Sequence, residues 1–379
     1  MKKLTRSILL IRTPVEASNL RYVTGSSAPD PAVFLQRGKH KYLVVSVLEL
    51  GRAKQTTSGI HIVTPQDICS SKKKRRDLSE WALALLKQQK IKKVWVSDFF
   101  PLGIAKKLEH AGIQVVVSTR PLFPNREIKT DDEIKHIQQV QKICVKAMRK
   151  AIETLQQSSI DSSGYLRNGK HYLTSEHIRT CIEMVLLKHD CNATDTLVAC
   201  GRQGADPHER GSGPLQAGKP IVIDIFPQHK EHGYWGDITR TVIKGPASDE
   251  LKKMYNTVRA AQTAALKKVK PGVQCDTIHK EVIRVFEDKG YKTKVTTDQA
   301  EGFIHSTGHG VGLDIHEAPL VGPVSTKLRK GHVITIEPGL YYYDKGGIRI
   351  EDTVLVTSTG WKYLAPCIKQ FEIFLRNKS

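Results

Sequence analysis

The sequence predicts two domains, an α/β domain over residues 1–125 and an α+β domain over residues 126–379. A chain of 379 residues is long for one domain, and each of two domains could bury its own core. Apolar strands alternate with helices before the segment STRPLFPNREIKT (118–130), whereas long helices surround short strands after it. The two prolines of that segment interrupt the pattern and mark the boundary.

The first domain contains short apolar segments that predict strands, namely KYLVVSVLEL, KKVWVSDF and IQVVVS. A helix is predicted at DLSEWALALLKQQK, because Asp77 and Glu80 form a capping pair at its start. Its apolar residues recur at helical spacing and predict one face that packs on the sheet. They are Leu78, Trp81, Ala82, Leu85 and Leu86.

Basic residues are concentrated in the first domain. Residues 1–126 carry 23 Lys/Arg against 8 Asp/Glu, whereas the remaining 253 residues carry 36 against 30. The densest run is KKKRR, from Lys72 to Arg76. It has no interleaved aromatic residue and matches no binding motif, so we expect a solvated loop rather than a nucleic-acid contact.

Cysteine usage and hydropathy exclude several classes of protein. The seven cysteines are scattered and form no CxxC pair, which argues for a reducing compartment and against a thiolate zinc site. The first apolar run, ILLI before Arg12, is too short for a signal peptide, and no run approaches the roughly 20 apolar residues of a membrane span. A soluble, cytoplasmic protein without a membrane partner is therefore expected.

The second domain is predicted to open with a long helix, because Thr130 and Glu133 form a capping box before an amphipathic stretch. Further helices are predicted at residues 174–190, 248–269 and 275–289. The residues able to perform chemistry lie outside these helices, at strand ends and tight turns.

Two carboxylates flank a polar loop in DIFPQHKEHGYWGDITRT (224–241). The apolar runs on either side predict antiparallel strands, with the loop centred between Lys230 and Glu231. Asp224 would then lie directly opposite Asp237 on one face, with Cβ atoms roughly 5 Å apart. Such a pair is mutually repulsive unless a cation lies between the carboxylates, so the pattern predicts a metal site.

Further carboxylates and histidines occur beside glycines or within apolar sequence. Glu337 would end one buried strand and Glu351 would lie inside another, although buried carboxylates are rare unless they are paired or bind metal. Each residue alone has a structural explanation, such as an ion pair with Arg240 or Arg349. Together, four carboxylates and one imidazole favour two divalent cations of the Mn, Fe, Co or Zn kind. The stretches are ADPHERGSG (205–213), FIHSTGHGVGLDIHEAP (303–319), VITIEPGLYY (333–342) and GGIRIEDTVLV (346–356).

The ordered series resembles the five-ligand site of the metallopeptidases with the creatinase/aminopeptidase pita-bread fold, known as family M24. SNLRYVTGSSAPDPAVFLQ (18–36) resembles the creatinase-like N-terminal domain of the Xaa-Pro peptidase branch, so the resemblance spans the chain. It implies a pita-bread catalytic domain over residues 126–379, a peptide substrate and a homodimer in which the N-terminal domain helps to wall the cleft. The series comprises Asp224, Asp237 in GDITRT, His309 in GHGVG, Glu337 in IEPG and Glu351 in RIED.

The resemblance also implies roles for the metal ligands. Asp237 and Glu351 would bridge two metal ions, Asp224 would hold one ion, and His309 with Glu337 would hold the other. Manganese is the preferred ion, with cobalt, zinc or iron as alternatives. The water between the ions would lose its proton near neutral pH and attack the substrate, while Glu337 would pass that proton to the leaving nitrogen.

Four further residues match positions that line the family's active site: His208, His305, His316 and Arg349. His316 would stabilise the tetrahedral oxyanion and His208 would hydrogen-bond the substrate. His305 and Arg349 would complete the substrate-binding wall, and Arg349 would also orient the carboxylate ligands.

The spacing from Asp224 to Asp237 is two residues longer than the family pattern. An insertion of two preserves strand parity, so both carboxylates stay on one face. The predicted function is metal-dependent hydrolysis of the bond preceding proline, at peptide N-termini or in Xaa-Pro dipeptides. The alternatives are a non-catalytic pita-bread homologue that binds nucleic acid or protein, and a related peptidase with non-proline specificity.

Overall fold

The computed structural model describes residues 6–26, 29–72, 77–192 and 195–375. The chain divides into two compact units, Met1–Arg126 and Glu127–Ser379. Of the basic run from Lys72 to Arg76, residues 73–76 lie outside the described residues. In the part of the chain that the structure describes, no helix has both the length and the apolar character needed to cross a membrane.

The first unit is built on a mixed sheet with the strand order β4-β3-β2-β1-β5-β6. Strands β1, β2 and β3 pair antiparallel, whereas β4, β5 and β6 join in parallel. The elements are β1 (Ser7–Ile11), α1 (Ala17–Thr24), β2 (Ala32–Arg37), β3 (His40–Val45), α2 (Leu50–Thr56), β4 (His61–Val63), α3 (Pro65–Ile68), α4 (Leu78–Gln88), β5 (Lys93–Val96), α5 (Leu102–His110) and β6 (Gln114–Val117).

Both faces of this sheet are covered by apolar side chains. Leu9 and Leu10 are neighbours in β1 and therefore point to opposite faces. Leu9 lies in one core cluster with Trp81 and Leu85 of α4, whereas Leu10 lies in another with Leu20 of α1. The predicted apolar face of α4 thus packs in the core, and Asp77 caps this helix by accepting a hydrogen bond from the Ser79 N–H at 2.8 Å.

The second unit places helices around several short sheets. Its helices are α6 (Asp131–Gln157), α7 (Ser175–Leu187), α8 (Asp249–Lys268) and α9 (Cys275–Asp288). Its strands are β7 (Ser159–Ile160), β8 (Leu166–Asn168), β9 (His171–Tyr172), β10 (Cys191–Asn192), β11 (Leu197–Cys200), β12 (Ile221–Ile225), β13 (Gln228–His229), β14 (Ile238–Lys244), β15 (Lys294–Val295), β16 (Ala300–Glu301), β17 (Gly308–Gly310), β18 (Glu317–Val321), β19 (Val333–Ile336), β20 (Gly339–Tyr342), β21 (Gly346–Arg349), β22 (Asp352–Val356), β23 (Trp361–Tyr363) and β24 (Glu372–Ile373).

Two sheets of this unit carry the candidate site, with strand orders β11-β12-β14-β24 and β18-β17-β19-β22-β23. Helix α6 begins with the predicted capping box: the Thr130 N–H donates to Glu133 Oε2 at 2.7 Å, and the Glu133 N–H donates to Thr130 Oγ1 at 3.3 Å. Helices α7, α8 and α9 lie within the predicted ranges.

The predicted register between Asp224 and Asp237 is wrong by two residues. Strands β12 and β14 do pair antiparallel, but Asp224 lies opposite Thr239. The turn is closed by Gly233, whose φ of 75° puts it in the left-handed region, so the turn is centred one residue later than the most polar point of the loop. Because the shift is two, Asp224 and Asp237 still share one face of the sheet.

Candidate metal centre

Five strands present the five predicted ligands. Asp224 lies within β12 and His309 within β17, whereas Asp237 and Glu351 directly precede β14 and β22, and Glu337 directly follows β19. Four of these residues are buried and Glu337 is nearly so. Residues just beyond the end of a strand are not bound by its backbone pairing, so their carboxylates can converge while the strands keep their backbone hydrogen bonds.

Glycines allow the strand that carries His309 to lie close to its neighbours. A Cβ atom at Gly308 would clash with the carbonyl of Thr335 in β19, and one at Gly310 would clash with the carbonyl of Ala318 in β18. The GHGVG motif therefore serves close strand packing around the histidine.

Three of the ligands form the centre of the cluster. Asp237, His309 and Glu351 each offer one ligand atom, and these atoms lie within 4.8 Å of one another. Glu337 joins this group through His309, whose Nε2 lies 3.2 Å from Glu337 Oε1 and 3.6 Å from Asp237 Oδ2. Asp224 joins it through Thr239, whose Oγ1 lies 2.8 Å from both Asp224 Oδ1 and Glu351 Oε2.

The carboxylates perturb one another strongly. Burial, followed by the charge of Asp224, raises the pKa of Asp237 well above its usual range. Burial, followed by the charge of Asp237, does the same to the pKa of Glu351. The raised pKa values show that positive groups of the protein do not fully compensate the negative charges of Asp237 and Glu351.

His309 and Glu337 behave as an ion pair. Burial would lower the pKa of His309, but the hydrogen bond and charge of Glu337 outweigh it and raise the pKa to about 9. Burial would likewise raise the pKa of Glu337, yet the hydrogen bond and charge of His309 lower it to about 2. The imidazolium of His309 and the guanidinium of Arg349, which pairs with Asp224 at 2.7 Å, bring two positive charges to four carboxylates and leave an excess of negative charge. A donor set of oxygens with one nitrogen fits divalent metal ions.

The sequence matches metallopeptidase family M24 over residues 135–358, more than half of its length. The chain belongs to metallopeptidase family M24. It is 30% identical over 364 residues to the Xaa-Pro dipeptidase of Pyrococcus horikoshii, and the alignment covers 94% of this chain and 92% of that protein.

Solved structures agree over nearly the whole chain. The prolidase from Pyrococcus horikoshii OT3 matches with a TM-score of 0.80 at 28% identity, covering 96% of this chain and 95% of that one. The X-Pro aminopeptidase from Thermotoga maritima MSB8 matches with a TM-score of 0.81 at 25% identity, covering 97% and 98%. The predicted fold class, an α/β N-terminal domain with an α+β pita-bread domain, is confirmed, and the chain is a metal-dependent peptidase.

The histidines of this metallopeptidase surround the cluster at different depths. His316 packs edge-on against His309 with ring centroids 4.3 Å apart, and burial followed by the charge of His309 lowers its pKa. His305 is fixed by contacts from Nδ1 to the Ser306 carbonyl at 2.7 Å and from Nε2 to the Tyr341 hydroxyl at 3.0 Å. His208 is exposed, and its charge contributes to the lowered pKa of both other histidines.

The side chain of Arg349 donates hydrogen bonds to three other side chains of the protein. Its Nη2 donates to Asp224 Oδ2 at 2.7 Å, its Nη1 donates to the Tyr341 hydroxyl at 2.7 Å, and its Nε donates to Thr239 Oγ1 at 3.2 Å. These contacts support the ligand-orienting role predicted for Arg349 more than a direct contact with substrate.

Several residues that hold the ligands were not singled out from the sequence. Gln141 of α6 accepts a hydrogen bond from the Asp237 N–H at 2.9 Å and donates to the Asp237 carbonyl at 2.7 Å. Thr335 Oγ1 donates to Glu337 Oε1 at 3.0 Å. Thr239 alone carried a local signal, because it follows Asp237 by two positions and so shares its face.

Proposed function

We propose that this metallopeptidase hydrolyses the peptide bond preceding proline, in Xaa-Pro dipeptides or at the N-termini of longer peptides. The observation that carries the proposal is the convergence of Asp237, His309 and Glu351, with Asp224 and Glu337 tied to them, in a chain of family M24. The similar proteins are named Xaa-Pro dipeptidase, prolidase and X-Pro aminopeptidase, and these names supply the proposed substrate class.

Two divalent cations are the proposed cofactors. Asp237 and Glu351 would be shared by both ions, Asp224 would complete one site, and His309 with Glu337 would complete the other. Manganese is preferred, with cobalt, zinc or iron as alternatives, because carboxylate oxygens with one imidazole suit these metals. When bound, the ions would polarise the scissile carbonyl and lower the pKa of a water molecule so that it can attack near neutral pH.

Glu337 is the proposed proton carrier. Its carboxylate is held between Thr335 Oγ1 at 3.0 Å and His309 Nε2 at 3.2 Å, which limits its orientations at the edge of the cluster. A carboxylate in this place accepts the proton of the attacking water and returns it to the leaving proline nitrogen.

The histidines bind and polarise the substrate in this proposal. His316 has a lowered pKa, so its imidazole is neutral near pH 7 and can donate one N–H to the developing oxyanion. His208 is exposed beside the other two histidines and would hydrogen-bond the substrate. His305, fixed by Tyr341, would form part of the wall.

The test uses metal-free protein reconstituted separately with Mn²⁺, Co²⁺ or Zn²⁺. We expect metal-dependent cleavage of Xaa-Pro dipeptides or Xaa-Pro-Xaa tripeptides, and little cleavage of matched Xaa-Ala peptides. Cleavage of dipeptides alone would identify a dipeptidase, whereas cleavage of both lengths would identify an aminopeptidase. Metal-loaded protein that cleaves no Xaa-Pro peptide contradicts the proposal and favours the non-catalytic alternative, whereas equal cleavage of Xaa-Ala peptides favours the non-proline peptidase.

The proposed assembly is a homodimer in a reducing compartment. Six cysteines of the described residues are free thiols, namely Cys144, Cys181, Cys191, Cys200, Cys275 and Cys367, which supports the reducing compartment. Sedimentation velocity of the full chain tests the dimer.

A further inference from the structure

Thr239 places one hydroxyl between two carboxylates of the metal centre. It is fully buried in β14, and its Oγ1 lies 2.8 Å from Asp224 Oδ1 and 2.8 Å from Glu351 Oε2. These two carboxylates come from different sheets, so a single oxygen atom joins the two halves of the ligand set.

The Thr239 hydroxyl has a single hydrogen to donate, and it accepts one hydrogen bond from Arg349. Arg349 can only donate, and its Nε donates to Thr239 Oγ1 at 3.2 Å. The single threonine hydrogen is therefore shared between Asp224 Oδ1 and Glu351 Oε2, which both lie within hydrogen-bond distance of it. Because Oγ1 lies 2.8 Å from each, the two carboxylate oxygens are held no more than twice that distance apart.

The backbone of Thr239 is fixed as firmly as its side chain. Its carbonyl accepts hydrogen bonds from the Glu351 N–H at 3.1 Å and from Arg240 Nη1 at 2.9 Å. A β-branched side chain on a fixed strand has few rotamers. The hydroxyl is therefore already in position before a metal ion binds.

Thr241 provides an internal comparison. It lies two residues further along β14, on the same face, and is equally buried. Its Oγ1 donates to the Arg349 carbonyl at 3.0 Å and accepts from the Arg349 N–H at 3.0 Å. Thr241 thus makes the same kind of buried hydrogen bonds to backbone only.

We infer that Thr239 is a positioning residue for the metal pair, whose hydroxyl orients Asp224 and Glu351 together. The inference rests on the two-metal site of the proposed function. Thr239 is not itself a ligand, so its loss should weaken metal binding without abolishing it. Residues that orient ligands typically change metal affinity by roughly 10–100-fold when they are lost.

The experiment compares Thr239→Val, Thr239→Ser and Thr241→Val with the wild type, all as metal-free full-length chains. Mn²⁺ alone is titrated by calorimetry, and the visible absorption of bound Co²⁺ reports ligand geometry. We expect Thr239→Val to bind Mn²⁺ about 10–100-fold more weakly and to change the Co²⁺ spectrum. Thr239→Ser and Thr241→Val should stay close to the wild type in both measurements.

The outcomes separate this inference from the proposed function. A wild-type chain that binds no divalent metal contradicts the two-metal proposal itself. Metal binding by the wild type with equal affinity in Thr239→Val and Thr241→Val overturns the role of Thr239 alone. If Thr239→Val does not fold, Thr239→Ala, which also lacks the hydroxyl, takes its place: weaker Mn²⁺ binding with a changed Co²⁺ spectrum supports the inference, and wild-type behaviour contradicts it.

Discussion

The two units of the chain differ in the charged side chains that they bury. In the first unit, the buried charged residues among those described are Glu16 and Glu49, and apolar side chains cover both faces of the sheet. The second unit buries a network of charged groups. They include Asp224, Asp237, Arg240, Arg349, Glu351 and Asp352. Burying charge costs free energy unless each group is paired or hydrogen-bonded. In the second unit, the buried charged groups include the predicted metal ligands, so this cost is connected with its chemistry.

Strand β14 shows how the polar interior is organised. Thr239 faces the metal centre, whereas its neighbour Arg240 points away from it and pairs with Asp352 at 2.6 Å. Arg240 also donates to the carbonyls of Glu351 and Cys367. The alternation of a strand thus puts the ligand face on one side and a buried ion pair, which holds the ligand-bearing segments, on the other.

The largest expected effect is on catalysis, from the change Glu337→Gln. The amide cannot accept a proton and lacks the charge that pairs with His309, so kcat should fall by roughly 10²–10⁴-fold. The measurement is hydrolysis of an Xaa-Pro dipeptide by protein with its metal content determined. An unchanged kcat at full metal occupancy would remove Glu337 from the mechanism.

The next largest effect is on stability, from the change Arg240→Met. It removes the buried guanidinium from Asp352 Oδ1 and from the carbonyls of Glu351 and Cys367, whereas Gln262 and Lys369 still contact Asp352 Oδ2. Breaking a buried ion pair in this way typically costs about 3–5 kcal/mol, measured as the free energy of unfolding in urea.

The matched control for this change is Arg284→Met. Arg284 pairs with Glu281 and Asp288 on the exposed side of α9, where water screens the charges. We expect little change in stability. An equal loss in both variants would show that burial does not distinguish the two ion pairs.

Local sequence predicted the elements better than the contacts between them. The capping box at Thr130 and the strand ending at Glu337 were visible because their signals lie within a few residues. The strand register of Asp224 was not visible in the local sequence, because this register depends on the left-handed conformation of Gly233 in the turn. Gln141 lies 96 residues from the Asp237 backbone that it holds, and no local pattern reports a partner at that distance.

The apolar interior of the first unit gives a third prediction. Leu85 is fully buried in α4, and Leu→Ala changes at such sites cost about 2–5 kcal/mol. Leu85→Ala should lower the stability of the first unit while Mn²⁺ affinity stays unchanged. The exposed Lys87 on the same helix is the control, as Lys87→Ala should alter neither; a loss of metal binding in Leu85→Ala would mean that the two units are energetically coupled.

A fourth prediction concerns acid sensitivity in the second unit. Burial, followed by the charge of Arg329, lowers the pKa of His332 to about 4. Between pH 6.5 and about 4, His332 is protonated in the unfolded chain but not in the folded chain. The free energy of unfolding therefore decreases as the pH falls through that window, by at most roughly 3 kcal/mol.

His332→Asn isolates this contribution. His332 Nδ1 accepts a hydrogen bond from the Arg329 N–H at 3.1 Å, and an asparagine oxygen can take its place without titrating. The variant should lose part of the stability change between pH 7 and pH 4, measured by urea unfolding. His177→Asn, at an exposed position, should keep the wild-type profile, and identical profiles for all three chains would exclude His332 as the cause.

The smallest expected effect concerns the charge of the first unit, where 23 Lys/Arg face 8 Asp/Glu over residues 1–126. An excess of this size attracts phosphates at low salt, but contacts without stacking aromatics or a groove-binding motif are largely screened at about 0.15 M salt. Filter binding with RNA and duplex DNA should therefore show weak complexes at low salt and no tight complex at 0.15 M. Sub-micromolar binding that disappears when Lys72 to Arg76 are neutralised would reverse this view. The first unit would then carry a function on its surface, as the second carries one in its interior.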